Sequence, residues 1–308
     1  MNAGRMTAQV WLLLFALSVL WGGSFFFVGV AVPALPPLTI VAARVVLAAL
    51  VLLLILHAMG IALPRRRDLW LAFFGMGLLN NVIPFTLIVW GQGQIPSGLA
   101  SILNATTPIS TALVAHAFTT DEKLTPNRIL GVLLGVAGVA VMLGTDLLDL
   151  RLADTLLAQG ACLLATLSYA CAGVFGRRFR RMDVPPLVTA GGQLVASSVI
   201  LLPLALLTDR PWILPLPGWP VLAALAALAV LSTALAYVIF FRVMAAAGSN
   251  VNLVTLLVPV SAILLGVLVL GETLLPRHLF GFGIVALGLA AIDGRLLALF
   301  RKKPVYPG

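Results

Sequence analysis

The chain has 308 residues, of which 61% are hydrophobic and 9% charged, with 19 Lys and Arg against 10 Asp and Glu and a net charge of +9. Soluble domains run at about 25% charged, so a soluble enzyme or a free nucleic-acid-binding domain is excluded. Apolar stretches of about 20 residues, each long enough for a bilayer core of about 30 Å, recur along the chain and point to an all-α integral membrane protein.

Apolar runs bounded by charge and by Pro/Gly breaks predict ten spans, at about 9–31, 38–59, 69–91, 97–118, 126–145, 154–176, 186–207, 219–241, 251–270 and 277–293. The first run, from Val10 to Val32, exceeds the 7–15 residues of a leader's apolar region, so it is expected to stay as a span. Within it Ser24 follows Gly22-Gly23, marking either a site residue or a close helix approach. Span 2 carries Arg44, about two turns below one membrane surface and with no acid at i±3 or i±4. It is expected to be structural or gating, snorkelling outward or bonding carbonyls at the outer mouth of a pathway, with substrate contact as the alternative.

Proline inside a helix frees the carbonyl four residues before it, and in lipid such a carbonyl is tolerated where it faces protein or a water-filled cavity. Pro84, Pro108, Pro203 and Pro259 free Asn80, Asn104, Val199 and Thr255. Spans 3, 4 and 9 thus pair a freed carbonyl with a polar side chain, and span 7 does not. The candidate substrate-binding residues are Ser24, Asn80, Asn81, Phe85, Asn104, Thr107, Ser168, Tyr169, Tyr237, Asn252 and Thr255, with Pro84, Pro108, Pro259 and Arg44 as hinges or gates. Tyr169 and Tyr237 lie toward span ends and serve either the site or an aromatic belt.

Lys and Arg follow the positive-inside rule. With the N-terminus in the cytoplasm, Arg5, Arg65–67, Lys123, Arg128, Arg177, Arg178, Arg180, Arg181, Arg242, Arg295, Arg301, Lys302 and Lys303 fall inside. Outside stand Arg151, Arg210 and Arg277. The positive charge therefore reads as topology, with both termini cytoplasmic.

The sequence also repeats itself. "DEKLTPNRILG" at 121–131 returns as "GETLLPRHLFG" at 271–281, Pro108-Ile109-Ser110 as Pro259-Val260-Ser261, and "PPL" at 36–38 as "PPL" at 185–187. Residues 1–150 and 151–308 are therefore expected to be two five-helix copies. Five being odd, the second copy enters from the opposite side, an inverted repeat with its site between the halves. The copies differ at Asp121-Glu122 against Gly271-Glu272, a loop difference expected to leave the transport class unaltered.

A Pro in a span, a short Glu-containing turn and a Gly-rich span, all twice, with "LWGGSFF" at 20–26 and Arg44, resembles the EamA-type members of the drug/metabolite transporter (DMT) superfamily. Within that group the chain is similar to bacterial amino-acid exporters, including the YddG-like aromatic amino-acid exporters. The resemblance implies export of neutral amino acids across the bacterial inner membrane by alternating access, with a small-molecule substrate, the lipid bilayer and no nucleic acid as partners, and a monomer as the working unit. No Asp or Glu lies deep in any predicted span, which argues against a carboxylate proton relay and suits facilitated diffusion. There is no phosphate-binding glycine loop, no Cys/His metal cluster and no Ser/His/Asp set at one depth, so no metal, cofactor or enzymatic activity is expected. The alternatives are a multidrug or other small-metabolite exporter of the same fold and, in another class, a channel or membrane receptor subunit.

Overall fold

A computed structural model describes residues 7–144 and 153–292, with the side chains of Ser249, Asn250 and Asn252 excepted. The candidate Asn252, the boundary expected at 150/151, and Arg5, Arg151, Arg295, Arg301, Lys302 and Lys303 accordingly lie outside the described residues. The described chain is helical throughout: α1 (Ala8–Ala31), α2 (Pro37–Ala58), α3 (Arg67–Gln92), α4 (Ser97–Phe118), α5 (Pro126–Leu143), α6 (Ala153–Arg181), α7 (Pro186–Thr208), α8 (Trp219–Ala247), α9 (Val254–Leu270) and α10 (Pro276–Ile292). Among the described residues α1–α8 are long and apolar enough to cross a membrane, while α9 and α10 are shorter apolar helices.

Prolines open many of these helices. Pro37, Pro126, Pro186 and Pro276 stand at the first helical position, where the missing N–H has no intrahelical partner to lose and the fixed φ suits the turn. The repeated "PPL" thus marks the entry to α2 and to α7. Thr7 and Thr125 cap α1 and α5 by accepting from the amides of Val10 (3.3 Å) and Arg128 (3.4 Å).

Small residues decide which helices touch. A methyl group added at Gly131 would stand 2.5 Å from the Gly288 carbonyl, and one at Gly138 would stand 2.7 Å from that of Gly281. The order reverses, so α5 and α10 run antiparallel along a seam built from the two copies of the glycine motif, as small-residue packing allows in membranes. On α1, Gly22 lies against Val258, Ser261 and Ala262 of α9, and Ser261 Oγ donates to the Ser18 carbonyl at 2.8 Å. The core extends through two long apolar clusters and a smaller one around Phe73 and Phe179, whose rings stack at 5.6 Å. The large exposed residues on α1, α7 and α9, such as Leu12, Phe15, Leu207 and Leu268, form an apolar exterior suited to lipid.

The turns gather at two ends. At the far end lie the α1–α2, α3–α4, α7–α8 and α9–α10 connections, and at the near end the α2–α3, α4–α5, α6–α7 and α8–α9 connections. Far-end helices are tied by carboxylates: Asp209, just past α7, accepts from the Thr39 amide (2.8 Å) and hydroxyl (2.9 Å) at the start of α2. Glu272 accepts from the Ser97 amide and hydroxyl (both 2.8 Å) and the Gly98 amide (3.2 Å) at the start of α4.

Candidate functional site

Two helices lose their α geometry at mid-length. Leu78–Val82 in α3 and Val230–Leu235 in α8 form π-helical turns, which leave backbone groups out of step and recur at functional sites. Their sequences, "LLNNV" and "VLSTAL", place polar side chains on the distorted turn. Pro84, just past the first, removes an amide from the ladder. Ser168 of α6 uses the carbonyl exposed there, donating to Leu79 O at 2.6 Å.

A closed ring of hydrogen bonds forms on these turns. Asn80 Nδ2 donates to Gln193 Oε1 (3.2 Å) and to the Tyr237 hydroxyl oxygen (3.3 Å). Tyr237 donates to Asn81 Oδ1 (3.0 Å), Asn81 Nδ2 to Ser197 Oγ (3.0 Å), and Ser197 back to the Gln193 carbonyl (2.6 Å). Asn81 and Ser197 are fully buried, whereas Asn80 and Tyr237 are half-buried. The ring joins α3 with α7 and α8 and contains no charge. Amides carry both donors and acceptors, so such a ring can exchange an internal bond for one to an ammonium, a carboxylate or a carbonyl.

Arg44 stands beside it. Its Nε donates to Thr233 Oγ1 at 2.9 Å, and the guanidinium carbon lies 3.6 Å from the centre of the Phe85 ring, a cation–π contact. Thr233 in turn donates to the Leu228 carbonyl at 2.8 Å. Arg44 is only 7% exposed, so it neither snorkels outward nor bonds a carbonyl at a pathway mouth; it turns into the bundle. An aromatic ring was at hand to cover it, and a charge in hydrocarbon is worth burying against such a ring and a hydroxyl.

The structure brings together Asn80, Asn81, Phe85, Ser168, Tyr237 and Arg44. Tyr237 faces the ring of amides and not a membrane belt, and Tyr169 packs between the two long apolar clusters. Asn104 and Thr107 sit at the break of α4, where Thr107 Oγ1 donates to the Asn104 carbonyl at 2.6 Å. The carbonyl freed by Pro108 is thus taken by its own neighbour, and Pro108 stands in the first turn after the break. Ser24 is buried on α1 next to the Gly22 approach, and Thr255 with Pro259 lies early in α9. Gln193 and Ser197 correct the expectation that span 7 adds nothing. The available signal was that Gln193 occupies in the second copy the place of Arg44 in the first.

A separate crevice of about 200 Å³ opens between α4, α5 and α6, lined by Thr106, Ile109, Gly135, Leu163 and the hydrogen-bonded pair Ser110–Thr166 (2.7 Å). Its rim residues Leu113, Val136 and Leu167 are exposed, and Thr166 points about 200° around α6 from Ser168. The crevice faces the outside of the bundle, away from the amide ring. Among the described residues no cluster of His, Cys, Asp and Glu could hold a metal ion.

Helices that span, packed so that polar neutral side chains meet inside, define a multi-pass membrane protein built to handle a small solute. The family model for EamA-like transporters matches this chain twice, over residues 9–144 and 156–292. The chain belongs to the EamA-like transporter family. It is 28% identical to the "Uncharacterized inner membrane transporter YedA" of Escherichia coli, over 95% of this chain and 92% of that protein. It is 28% identical to "Protein PecM" of Dickeya dadantii, over 93% of each. A match of 27% identity to the "Probable terminal-alkyne amino-acid exporter" of Streptantibioticus cattleyicolor covers 45% of this chain and 46% of that one. A solved crystal structure shares the fold with a TM-score of 0.67 at 21% identity, over 94% of this chain and 99% of that chain.

Proposed function

We propose that this transporter exports neutral amino acids, aromatic and other apolar ones foremost, across the bacterial inner membrane. It would work as a monomer of ten spanning helices arranged as two inverted five-helix halves, 1–150 and 151–308, with both termini cytoplasmic. The double match of the family model and the antiparallel α5–α10 seam support the inverted arrangement. The observation that carries the functional reading is the uncharged amide ring, which forms where π-turns of α3 and α8, one from each half, face α7. Asn80, Asn81, Tyr237 and Ser168 are its polar contacts for solute, Phe85 and the apolar residues around it receive the side chain, and Asn104, Thr107, Thr255, Ser24 and Tyr169 line the approach. Pro84, Pro108 and Pro259 serve as hinges for alternating access. The partial likeness to an amino-acid exporter favours this substrate class. The chain acts as a carrier and not an enzyme, by facilitated diffusion, with no metal or cofactor.

The test is counterflow in proteoliposomes. Labelled phenylalanine should enter saturably, faster with unlabelled amino acid inside, and without dependence on a pH gradient. Linear, unsaturable entry would make the protein a channel. Asn80→Leu and Thr255→Val should each lower the rate about tenfold or more while the protein still purifies folded; unchanged rates in both would remove the site from this place.

A further inference from the structure

We propose that Arg44 is the carboxylate-binding residue of the solute site, so that the protein selects molecules by a free carboxylate. The assignment deepens the amino-acid reading and rests on it for the path by which the solute arrives. Three observations lead to it. First, Arg44 is buried yet has no counter-ion among the described residues. Among the described residues no Asp or Glu forms an ion pair with it. Asp209 is engaged at Thr39, at the start of the same helix. The titratable groups within electrostatic reach are Tyr169 and Tyr237, both neutral near pH 7.

Second, the side chain is held in place for a task its holders do not complete. Nε is fixed on Thr233 and one face lies on Phe85. The donors on the two Nη nitrogens meet no hydrogen-bond acceptor among the described residues. With Nε bonded and one face on a ring, the Nη edge, whose paired N–H groups match a carboxylate, is the part of this buried side chain left without a hydrogen-bond partner among the described residues. Maintaining a cation here without a partner is costly, and a solute carboxylate would supply one.

Third, the ring of amides is one turn away. Thr233 and Tyr237 are i and i+4 on α8, and Asn81 and Phe85 are i and i+4 on α3, so about 6 Å of helix separates the Arg44 stack from the ring. Among the described residues Asn80 Oδ1 accepts no hydrogen bond, leaving an acceptor for an ammonium beside donors for a carboxylate. That spacing suits an α-amino acid, whose two charged groups sit on one carbon.

The experiment is a thermal-shift titration of the purified full-length protein with phenylalanine, 3-phenylpropionate, phenylalaninamide, and sodium chloride or phosphate as anion controls. Wild type, Arg44→Gln and Arg44→Lys are compared. Phenylalanine and phenylpropionate should raise the melting temperature of the wild type, and phenylalaninamide should not. Arg44→Gln should weaken binding of both carboxylates roughly thirtyfold or more, while Arg44→Lys, which keeps the charge but not the planar fork, should fall between. Stabilisation by phenylpropionate but not by phenylalanine would keep the Arg44 assignment and overturn the amino-acid reading. Equal stabilisation by phenylalanine and its amide, indifferent to Arg44→Gln, would overturn the Arg44 assignment and keep the other. A shift with inorganic anions alone, or with none of the compounds, would overturn both. If Arg44→Gln does not fold, the wild-type comparison of acid with amide and the Arg44→Lys titration decide.

Discussion

The two ends of the bundle are built from the same repeated sequence and are fastened differently. At the far end Glu272 and Asp209 lie on the first turns of α4 and α2 and accept from backbone amides there. A carboxylate at a helix N-terminus gains both the orphan donors and the dipole. At the near end the counterpart Glu122 pairs with Arg177, which Asp121 also holds at 2.9 Å. No described hydrogen bond carries Glu122 to the start of α9, where Gly248–Leu253 winds as a 3₁₀ segment. One residue explains much of the difference. Gly271 adopts φ +68 at the end of α9, a conformation glycine enters freely, and this lets the Glu272 amide bond the Gly266 carbonyl at 3.0 Å while its carboxylate turns to Ser97. The first copy has Asp121 in that place. The loop difference that looks minor in sequence therefore goes with a different fastening at each end: carboxylates on helix N-termini at the far end, an exposed ion pair at the near end.

The largest effect should come from breaking the stronger latch. Glu272→Ala removes three charge-assisted bonds, two of them to amides that no other group caps, and is expected to cost about 2 kcal/mol of stability, in line with strong N-caps. Glu122→Ala loses an ion pair whose carboxylate side chain is 39% exposed and should cost less than about 1 kcal/mol. Chemical denaturation of the purified variants in mild detergent measures both, and equal losses would break the comparison. In counterflow Glu272→Ala should also slow exchange more than Glu122→Ala, since it frees the far end of α4.

A subtler substitution sharpens the same point. Gly271→Asp makes the second copy read as the first and forces an L-residue into the left-handed region, at a cost of about 1–2 kcal/mol. It should destabilise somewhat less than Glu272→Ala, and little further when combined with it, because both act through one latch. Additive losses in a double-mutant cycle would mean that Gly271 matters for ending α9 and not for aiming Glu272.

Helix placement was legible because hydropathy reports which segments avoid water. Its misses have physical causes. α6 reaches Arg181, past the predicted 176, because Arg is a good helix former whose stem lies on apolar surface while its head stays wet. α9 starts at Val254 and not near 251 because an apolar segment can be 3₁₀ as readily as α over a few residues. The site was half legible. Asn80 and Asn81 announce themselves as polar groups in mid-span, whereas Tyr237, toward a span end, reads equally as a belt residue. The π-turns do not, since no single residue encodes them. Gln193 and Ser197 escaped a search keyed on proline, for Pro203 lies more than a turn beyond Ser197 on α7. The direction of Arg44 followed from a ring and a hydroxyl on two other helices, which only packing reveals.

The smallest expected effect concerns the near end in acid. The Arg177 guanidinium donates to both carboxylate oxygens of Asp121 at 2.9 Å, and this hydrogen bond holds the Asp121 carboxyl below its ordinary range. A carboxyl with a depressed folded-state pKa stabilises the fold above its unfolded value, about 4, and loses that contribution as pH falls through the folded one. The near-end pair should therefore be intact at pH 7, weaken only below about pH 4, and be screened by about 1 M salt, where the Debye length is about 3 Å. The far-end latch, half-buried on a helix terminus, should resist the same salt. Arg177→Gln at neutral pH should mimic the salt and add nothing to it, and hydrogen exchange of the 119–125 loop reads the release directly. If salt instead loosened the first turn of α4 as much as this loop, the two ends would be fastened alike, and the asymmetry drawn from Gly271 and Asp121 would fall.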